Sequence, residues 1–410
     1  MPPVHISSEI GQLRDVLVHE PGKEVLAVTP GTRRDFLYED IIELETARSE
    51  HRKMVAVLER FATVYQTRDL LRDIAGHEDV RELLAARTAF AAPSGALAKQ
   101  LVDRPAEELV KMLVEGTEET VGPIARLLNQ GGYCLPPLPN LFFTRDVGIV
   151  IDGHVIIGAM RHGARWSEEL LVKALFAHHP LLENSGILYD GSDERRLDYT
   201  IEGGDVHPVR SDLLIVGMSD RTSAMGLDQL CDLVFENCGV SDVIVVVMPG
   251  EPTAIHLDMI FTQVDHGLCV VAPHQFIGPA RLAVLHRRKA QASTHEMPNF
   301  FAALEAVDFA LEPILCGGEK RQSQEREQWA SGCNVLTLRP GVTLAYRRNE
   351  ATLAEFEKAG FRILESEPFL LGEEDIEEGE RAVITMRGSE LVRGGGGPRC
   401  MTLPLRRDRV

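Results

Sequence analysis

The C-terminal two thirds of the chain repeats one coarse order of polar and apolar positions. A polar motif leads into an apolar strand pattern, then a turn, a second strand ending in polar residues, an amphipathic helix and a further strand. One copy runs NLFFTRDVGIVI, turns at Asp152-Gly153, continues HVIIGAMRHGARW and enters the helical pattern SEELLVKALFAHH. The next begins IEGGDVHPV, turns near Arg210-Ser211-Asp212, and continues LLIVGMSDRTS into the helix GLDQLCDLVFEN and the strand DVIVVVM. A third reads AIHLDMIFTQV, turns at Asp265-His266-Gly267 and continues LCVVAPH. A fourth reads CNVLTLRP, turns at Pro340-Gly341, then gives VTLAYRR and the helix EATLAEFEKAG. The strand runs are β-branched and bounded by turn residues, whereas the helices place apolar residues three and four apart. The opening GQLRDVLVHEPG, followed by the helical ETARSEHRKMVAVLERF, fits as a fifth unit.

Repetition at this period predicts an α/β fold of ββαβ modules in a radial or solenoid arrangement, not one doubly wound sheet. Motifs at equivalent positions of the modules then converge on one axis. Residues 71–130 break the order. HEDVRELLAARTAF, GALAKQLV and PAEELVKMLVEG read as short amphipathic helices, with Pro105 at a helix start, Glu107 and Glu108 in its first turn and Gly116 at its end. No strand signal is seen there. The expected organisation is a catalytic modular domain over 1–70 and 131–410 with a helical insertion over 71–130. The charged GGEKRQSQEREQW reads as an exposed loop or short helix.

Composition narrows the function classes. With 410 residues and 44% hydrophobic content the chain can bury a large core. A formal charge of −19 disfavours a phosphate backbone as partner, so no nucleic acid is expected. No apolar run approaches the roughly 20 residues that span a bilayer, and the N-terminus lacks a basic-then-apolar leader, so a cytosolic protein without membrane attachment is expected. Seven cysteines (Cys134, Cys231, Cys238, Cys269, Cys316, Cys333, Cys400) are scattered and form no CxxC pair. That pattern argues against a disulfide framework and against a zinc site.

Candidate chemistry gathers at the module heads and near the C-terminus. In LVRGGGGPRCMTLPLRRD, Gly394 to Gly397 free the backbone to approach a ligand, and Pro398 constrains the chain just before Cys400. Asp146 lies in FTRD, Glu202 and Asp205 in IEGGD, His256 and Asp258 in IHLD. Each alone is weak, since a lone Asp at a strand start is usually a cap and a lone His is more often structural. Three such motifs at corresponding places are harder to attribute to packing. The combination has a chemical logic. Carboxylates match the paired N–H groups of a guanidinium. A partly ionised thiol attacks its central carbon. A histidine protonates departing ammonia and deprotonates the incoming water.

These motifs, FTRD, IEGGD, HLD and RGGGGPRCM, resemble in the same order those of bacterial arginine deiminases of the guanidino-group-modifying superfamily. The resemblance covers nearly the whole chain. It implies a five-bladed pseudo-symmetric ββαβ propeller and hydrolysis of L-arginine to L-citrulline and ammonia through a covalent cysteine-amidino intermediate. No metal or other cofactor is implied, the partner is a small molecule, and a homo-oligomer is expected. The resemblance makes Cys400 the nucleophile, His256 the general acid/base, Asp146 and Asp258 the guanidinium ligands, and Glu202 the support of His256. It assigns the substrate's α-carboxylate and α-amino end to Asn140, Arg165 and Arg221. Some members carry a further arginine within the glycine run, where this chain has Gly395; Arg393 and Arg399 are the nearest replacements.

Alternatives within the superfamily are an agmatine deiminase, a dimethylarginine hydrolase or an amidinotransferase, which share the same Cys/His/carboxylate logic. A cysteine protease leaves Asp146, Glu202 and Asp258 without work. A non-catalytic binding protein is expected to have lost the cysteine or the histidine.

Overall fold

The computed structural model describes residues 4–85, 96–128, 132–193, 196–291 and 293–410. Among them are five separate sheets of three to five strands and one two-stranded ribbon, with no closed barrel. The fold is mixed α/β.

The repeating order in the sequence becomes a repeating topology. Gly148–Ile151 pairs antiparallel with His154–Ile157, the helix Trp166–His178 crosses over, and Ile187–Asp190 returns parallel to the second strand. The hairpin turns at Asp152, whose φ of 52° is left-handed, a conformation that Asp tolerates through its short polar side chain. Val206–Arg210 and Leu213–Met218 repeat the pairing, followed by the helix Ala224–Asn237 and the parallel Asp242–Val247. Two more antiparallel strands, Val284–Arg288 and His295–Met297, widen this sheet. Phe261–Asp265, Leu268–Val271 and Glu312–Leu315 form the third sheet. In the fourth, Leu336–Arg339 pairs with Val342–Tyr346, whose parallel neighbour Ala382–Met386 also pairs with Arg362–Glu365.

The fifth sheet is closed by the two ends of the chain. Leu13–Val18 pairs antiparallel with Leu403–Arg407 and parallel with Thr63–Gln66, the helix Leu44–Leu58 intervening. Here the first hairpin strand comes from the C-terminus and the second from the N-terminus. Buried strand residues such as Val16, Ile149, Ile215, Val270 and Leu344 form the cores between the sheets and their helices. Each such aliphatic side chain removed from water contributes roughly 1.5–3 kcal/mol.

The described residues between Thr67 and Leu127 are mainly helical: Thr67–Ile74, Glu78–Ala85, Ala96–Val102, Ala106–Glu115 and Pro123–Leu127. Pro105 caps Ala106–Glu115 and Gly116, at φ 80°, ends it. The C-terminal part of HEDVRELLAARTAF lies outside the described residues. One expectation is corrected. Thr117–Glu118 pairs antiparallel with Tyr133–Leu135, so a short ribbon closes this segment. Two pairs of residues are too few to show a period, and the pairing is set by contact with the chain that follows. GGEKRQSQEREQW contains the helix Arg321–Trp329. Among the described residues no helix is long and apolar enough to cross a membrane.

Candidate active site

Each sheet begins with a polar segment turned tightly just before its first strand. Asp146 lies in the single turn Thr144–Val147 ahead of Gly148. Glu202 precedes the turn Gly203–Asp205, and His256 precedes the turn Leu257–Met259 that carries Asp258. Cys400 ends the glycine-rich loop three residues before Leu403–Arg407. Coiling each head into one turn directs its side chain inward rather than along the strand. The packing of the heads explains two glycines. A Cβ on Gly204 would lie 2.6 Å from the His256 ring, and one on Gly397 would lie 2.8 Å from Asn334 Oδ1.

Asn140, Asp146, Arg165, Arg221, His256 and Cys400 line one narrow cavity of about 30 Å³. It shares Leu37, Arg221, Ile255, Gly394 and Gly395 with an outer cleft of about 1240 Å³. Asp258 stands behind the thiol, its Oδ2 3.4 Å from Sγ. His256 Nε2 lies 2.8 Å from Glu202 Oε2, and its Nδ1 lies 3.7 Å from Asp146 Oδ1. Glu202 also accepts the Arg161 backbone N–H at 2.9 Å and faces Arg221 at 3.5 Å.

Burial disfavours charge on His256, but Asp146 and the Glu202 hydrogen bond outweigh it and raise the imidazolium pKa to about 9. The ring is therefore a proton donor at neutral pH. Glu202 is held down to about 2, because Arg221 and His256 overcome the cost of its burial. Burial, then the charges of Asp258 and Asp146, push the Cys400 thiol well above its usual value. The resting site thus pairs a charged imidazole with a protonated thiol.

The arginines divide. Arg165 is buried and gives Nη1 to Asp146 Oδ2 at 2.5 Å, with Nε and Nη2 on Glu168 at 3.0 and 2.8 Å. Its Nη2 also reaches the Phe143 carbonyl at 3.1 Å. Arg221, by contrast, keeps a buried Nε with no acceptor among the described residues. Asn140 donates to the Phe36 carbonyl at 2.8 Å.

The two arginines expected to stand in for one missing from the glycine run do not reach the cavity. Arg393 is exposed at the outer cleft, where Asp40 at 2.6 Å and Glu390 at 3.4 Å hold it. Arg399 is fully buried and points the other way, between Glu9 at 3.1 Å and Asp258 Oδ2 at 2.9 Å. Neighbouring residues in a tight turn diverge, so aiming Cys400 at the cavity aims Arg399 behind it.

Sequence reasoning missed three participants. Glu168 clamps Arg165 and is pushed by burial up to about 7. Glu9 balances Arg399 from the N-terminal segment. Asn334 touches the Cys400 sulfur; its signal was available, because CNVLTLRP is a module head like the others.

An arginine deiminase family model matches residues 34–407. The chain belongs to the arginine deiminase family. Curated relatives agree over full length: the arginine deiminase of Streptococcus pyogenes serotype M49 is 31% identical over 431 residues, covering 100% of this chain and 99% of the relative. That of Streptococcus uberis is 31% identical over 432 residues with the same coverage. Among solved structures, the SxtG amidinotransferase of Microseira wollei superposes with a TM-score of 0.57 at 14% identity, covering 100% of this chain and 98% of that one. DDAH from Pseudomonas aeruginosa gives a TM-score of 0.51 at 14% identity, covering 96% and 99%. These distant likenesses establish a shared α/β fold, and family membership rests on the sequence matches.

Proposed function

We propose that this member of the arginine deiminase family hydrolyses L-arginine to L-citrulline and ammonia through a covalent adduct on Cys400. The observation that carries the mechanism is a pair of buried oxygens. Asp146 Oδ1 and Asp258 Oδ1 have no hydrogen-bond partner among the described residues, while the second oxygen of each carboxylate is taken by Arg165 and Arg399. Leaving a buried carboxylate oxygen unpaired costs a few kcal/mol, which a ligand with N–H groups on a planar cation recovers. A guanidinium offers that geometry, and the narrow slot suits a flat head group better than a peptide.

The chemistry runs in two halves. A bound guanidinium cation adds positive charge between Asp146 and Asp258, which favours loss of the thiol proton to solvent through the outer cleft. The thiolate attacks the central carbon, and its electron pair forms the C–S bond. His256, held cationic by Asp146 and Glu202, gives its proton to the departing nitrogen, which leaves as ammonia. The amidino-cysteine cation then takes up water, whose proton passes to the now neutral His256. The C–S pair returns to sulfur, the hydroxyl proton passes to the departing thiolate, and neutral citrulline is released.

Arg221 is the better match for the α-carboxylate, because its Nε lacks an acceptor among the described residues. Arg165 and Asn140 shape the same end of the slot from positions committed to protein partners. Arg399 and Arg393 act outside it, the first by holding Asp258. Five separate sheets, whose heads Asp146, Glu202, His256, Asn334 and Cys400 are joined by side-chain contacts, support reading the architecture as five blades around the site. On that reading 71–130 is an insertion distinct from the catalytic domain over 1–70 and 131–410.

The direct test is citrulline formation from arginine by purified protein beside Cys400→Ala. Wild type is expected to turn over and the variant to be inactive while folded. An active Cys400→Ala enzyme would remove the covalent route.

A further inference from the structure

Five module heads are linked by side-chain contacts around His256 and Cys400, and four carry charge or the thiol: Asp146, Glu202, His256 with Asp258, and Cys400. The remaining head, just ahead of Leu336–Arg339, is Asn334. Its side chain is fully buried. The orientation of the amide is determined by its neighbours. One end meets the backbone N–H groups of Gly397 at 3.1 Å and Cys400 at 3.0 Å. Those groups only donate, so that end is the oxygen and the other is the NH₂. The NH₂ lies 2.9 Å from Cys400 Sγ and 3.3 Å from the Asp258 carbonyl oxygen.

The surroundings of the sulfur give this donor its significance. A thiol can donate to Asp258 Oδ2, 3.4 Å away, but once the proton leaves, that carboxylate faces a second negative charge. The Asn334 contact changes in the opposite sense. An N–H donating to a neutral sulfur is weak, whereas one donating to a thiolate is charge-assisted and roughly twice as strong as a neutral bond. The same amide ties its oxygen to the loop bearing the nucleophile, so the donor and the sulfur keep one relative position. Gly397 permits that approach, since a Cβ there would collide with Asn334.

We propose that Asn334 is a further catalytic residue: its amide N–H groups stabilise the Cys400 thiolate before attack and again when the C–S bond breaks. In the first half the sulfur's electron pair leaves this hydrogen bond to form the C–S bond. In the second half the C–S pair returns to sulfur and the same N–H receives the charge. The inference rests on Cys400 being the nucleophile.

The test uses Asn334→Asp, which retains an oxygen for the two loop N–H groups and replaces the donor facing sulfur with an acceptor. Alkylation of Cys400 by iodoacetamide is followed by mass spectrometry from neutral to alkaline pH, alongside citrulline kinetics and the thermal midpoint. At an unchanged midpoint, neutral-pH alkylation and kcat should each fall at least about ten-fold, with KM changing less than about three-fold. The alkylation profile should also move to higher pH. A merely structural residue leaves that profile in place. A folded Asn334→Asp enzyme with alkylation and kcat within about two-fold of wild type overturns the proposal. If Asn334→Asp does not fold, Asn334→Ser, which removes the amide and its bulk, is judged by the same readouts. Failure of both to fold makes the residue a fold determinant and overturns it too. Cys400→Ala, assayed in parallel, separates the grounds: citrulline formation by that variant would mean the nucleophile was misassigned.

Discussion

Arg165 and Asp146 meet at 2.5 Å inside the cavity, so a guanidinium of the protein already occupies one oxygen of the carboxylate proposed to bind the substrate guanidinium. Glu168 holds Arg165 from the other side at 2.8 Å. Asp146 is thereby fixed with its free oxygen, Oδ1, turned toward His256. The separate roles of Arg165 and Arg221 can be measured. Arg221→Ala should lower kcat/KM for arginine by tens-fold, the equivalent of about 2 kcal/mol, while agmatine turnover, which involves no α-carboxylate, changes much less. Arg165→Ala should reduce both substrates in proportion, because it acts through Asp146. If Arg165→Ala narrowed the preference and Arg221→Ala did not, the two assignments would be exchanged.

Asp146→Asn and Asp258→Asn keep shape and remove charge. Each leaves a buried cation short of a partner, a loss on the order of 3–5 kcal/mol. Catalytic efficiency should drop by at least about two orders of magnitude. Steady-state citrulline kinetics on both variants check this, and near-native efficiency in Asp146→Asn would take that residue out of the site.

The pH dependence follows from the charge on His256. With its pKa raised from 6.5 to about 9, the proton donor is lost only as pH rises through about 9, so kcat/KM should fall on that alkaline limb. Glu202→Gln removes a charge that sustains the imidazolium and should move the limb down by about one unit or more. An unmoved limb would detach His256 from it.

The same shifts bear on stability. A raised folded-state pKa means His256 stabilises the fold in full below 6.5 and loses that contribution as pH climbs through about 9. Glu202, depressed from 4.5 to about 2, contributes above 4.5 and loses its share as pH falls through about 2. Thermal midpoints across pH for wild type and Glu202→Gln should converge at the acid end. Parallel curves would contradict the linkage.

Arg399 is a stability residue in this structure. Arg399→Met deprives buried Glu9 and Asp258 of their shared cation, which should cost about 3–5 kcal/mol in denaturant unfolding. An unchanged unfolding midpoint would show that Glu9, held down by Arg399 against the cost of its burial, needs no such partner.

What could be read from sequence was whatever recurs. Apolar runs and turn residues set the hairpins at Asp152, Ser211, His266 and Gly341, and the charged heads Asp146, Glu202, His256 and Asp258 stand out against apolar strands. Side-chain direction after a turn was not legible: Arg399 and Cys400 are adjacent, yet one faces Glu9 and the other the cavity. Nor was the partner of Arg165, since Glu168 looks like an ordinary residue of a helix's first turn. Asn334 escaped because it carries no charge. Its importance depends on a contact with residues more than sixty positions away.

The pairing of Leu13–Val18 with Leu403–Arg407 has a consequence for biosynthesis. The N-terminal strand emerges from the ribosome nearly four hundred residues before its antiparallel partner. At about 5–20 residues per second it waits on the order of tens of seconds with that edge open. Cys400 shares that delay, since its loop leads directly into the partner strand Leu403–Arg407. A nascent chain that has not reached residue 400 therefore carries Asp146, Glu202 and Asp258 without the proposed nucleophile. On that proposal the reactive thiol arrives together with the strand that closes the fifth sheet.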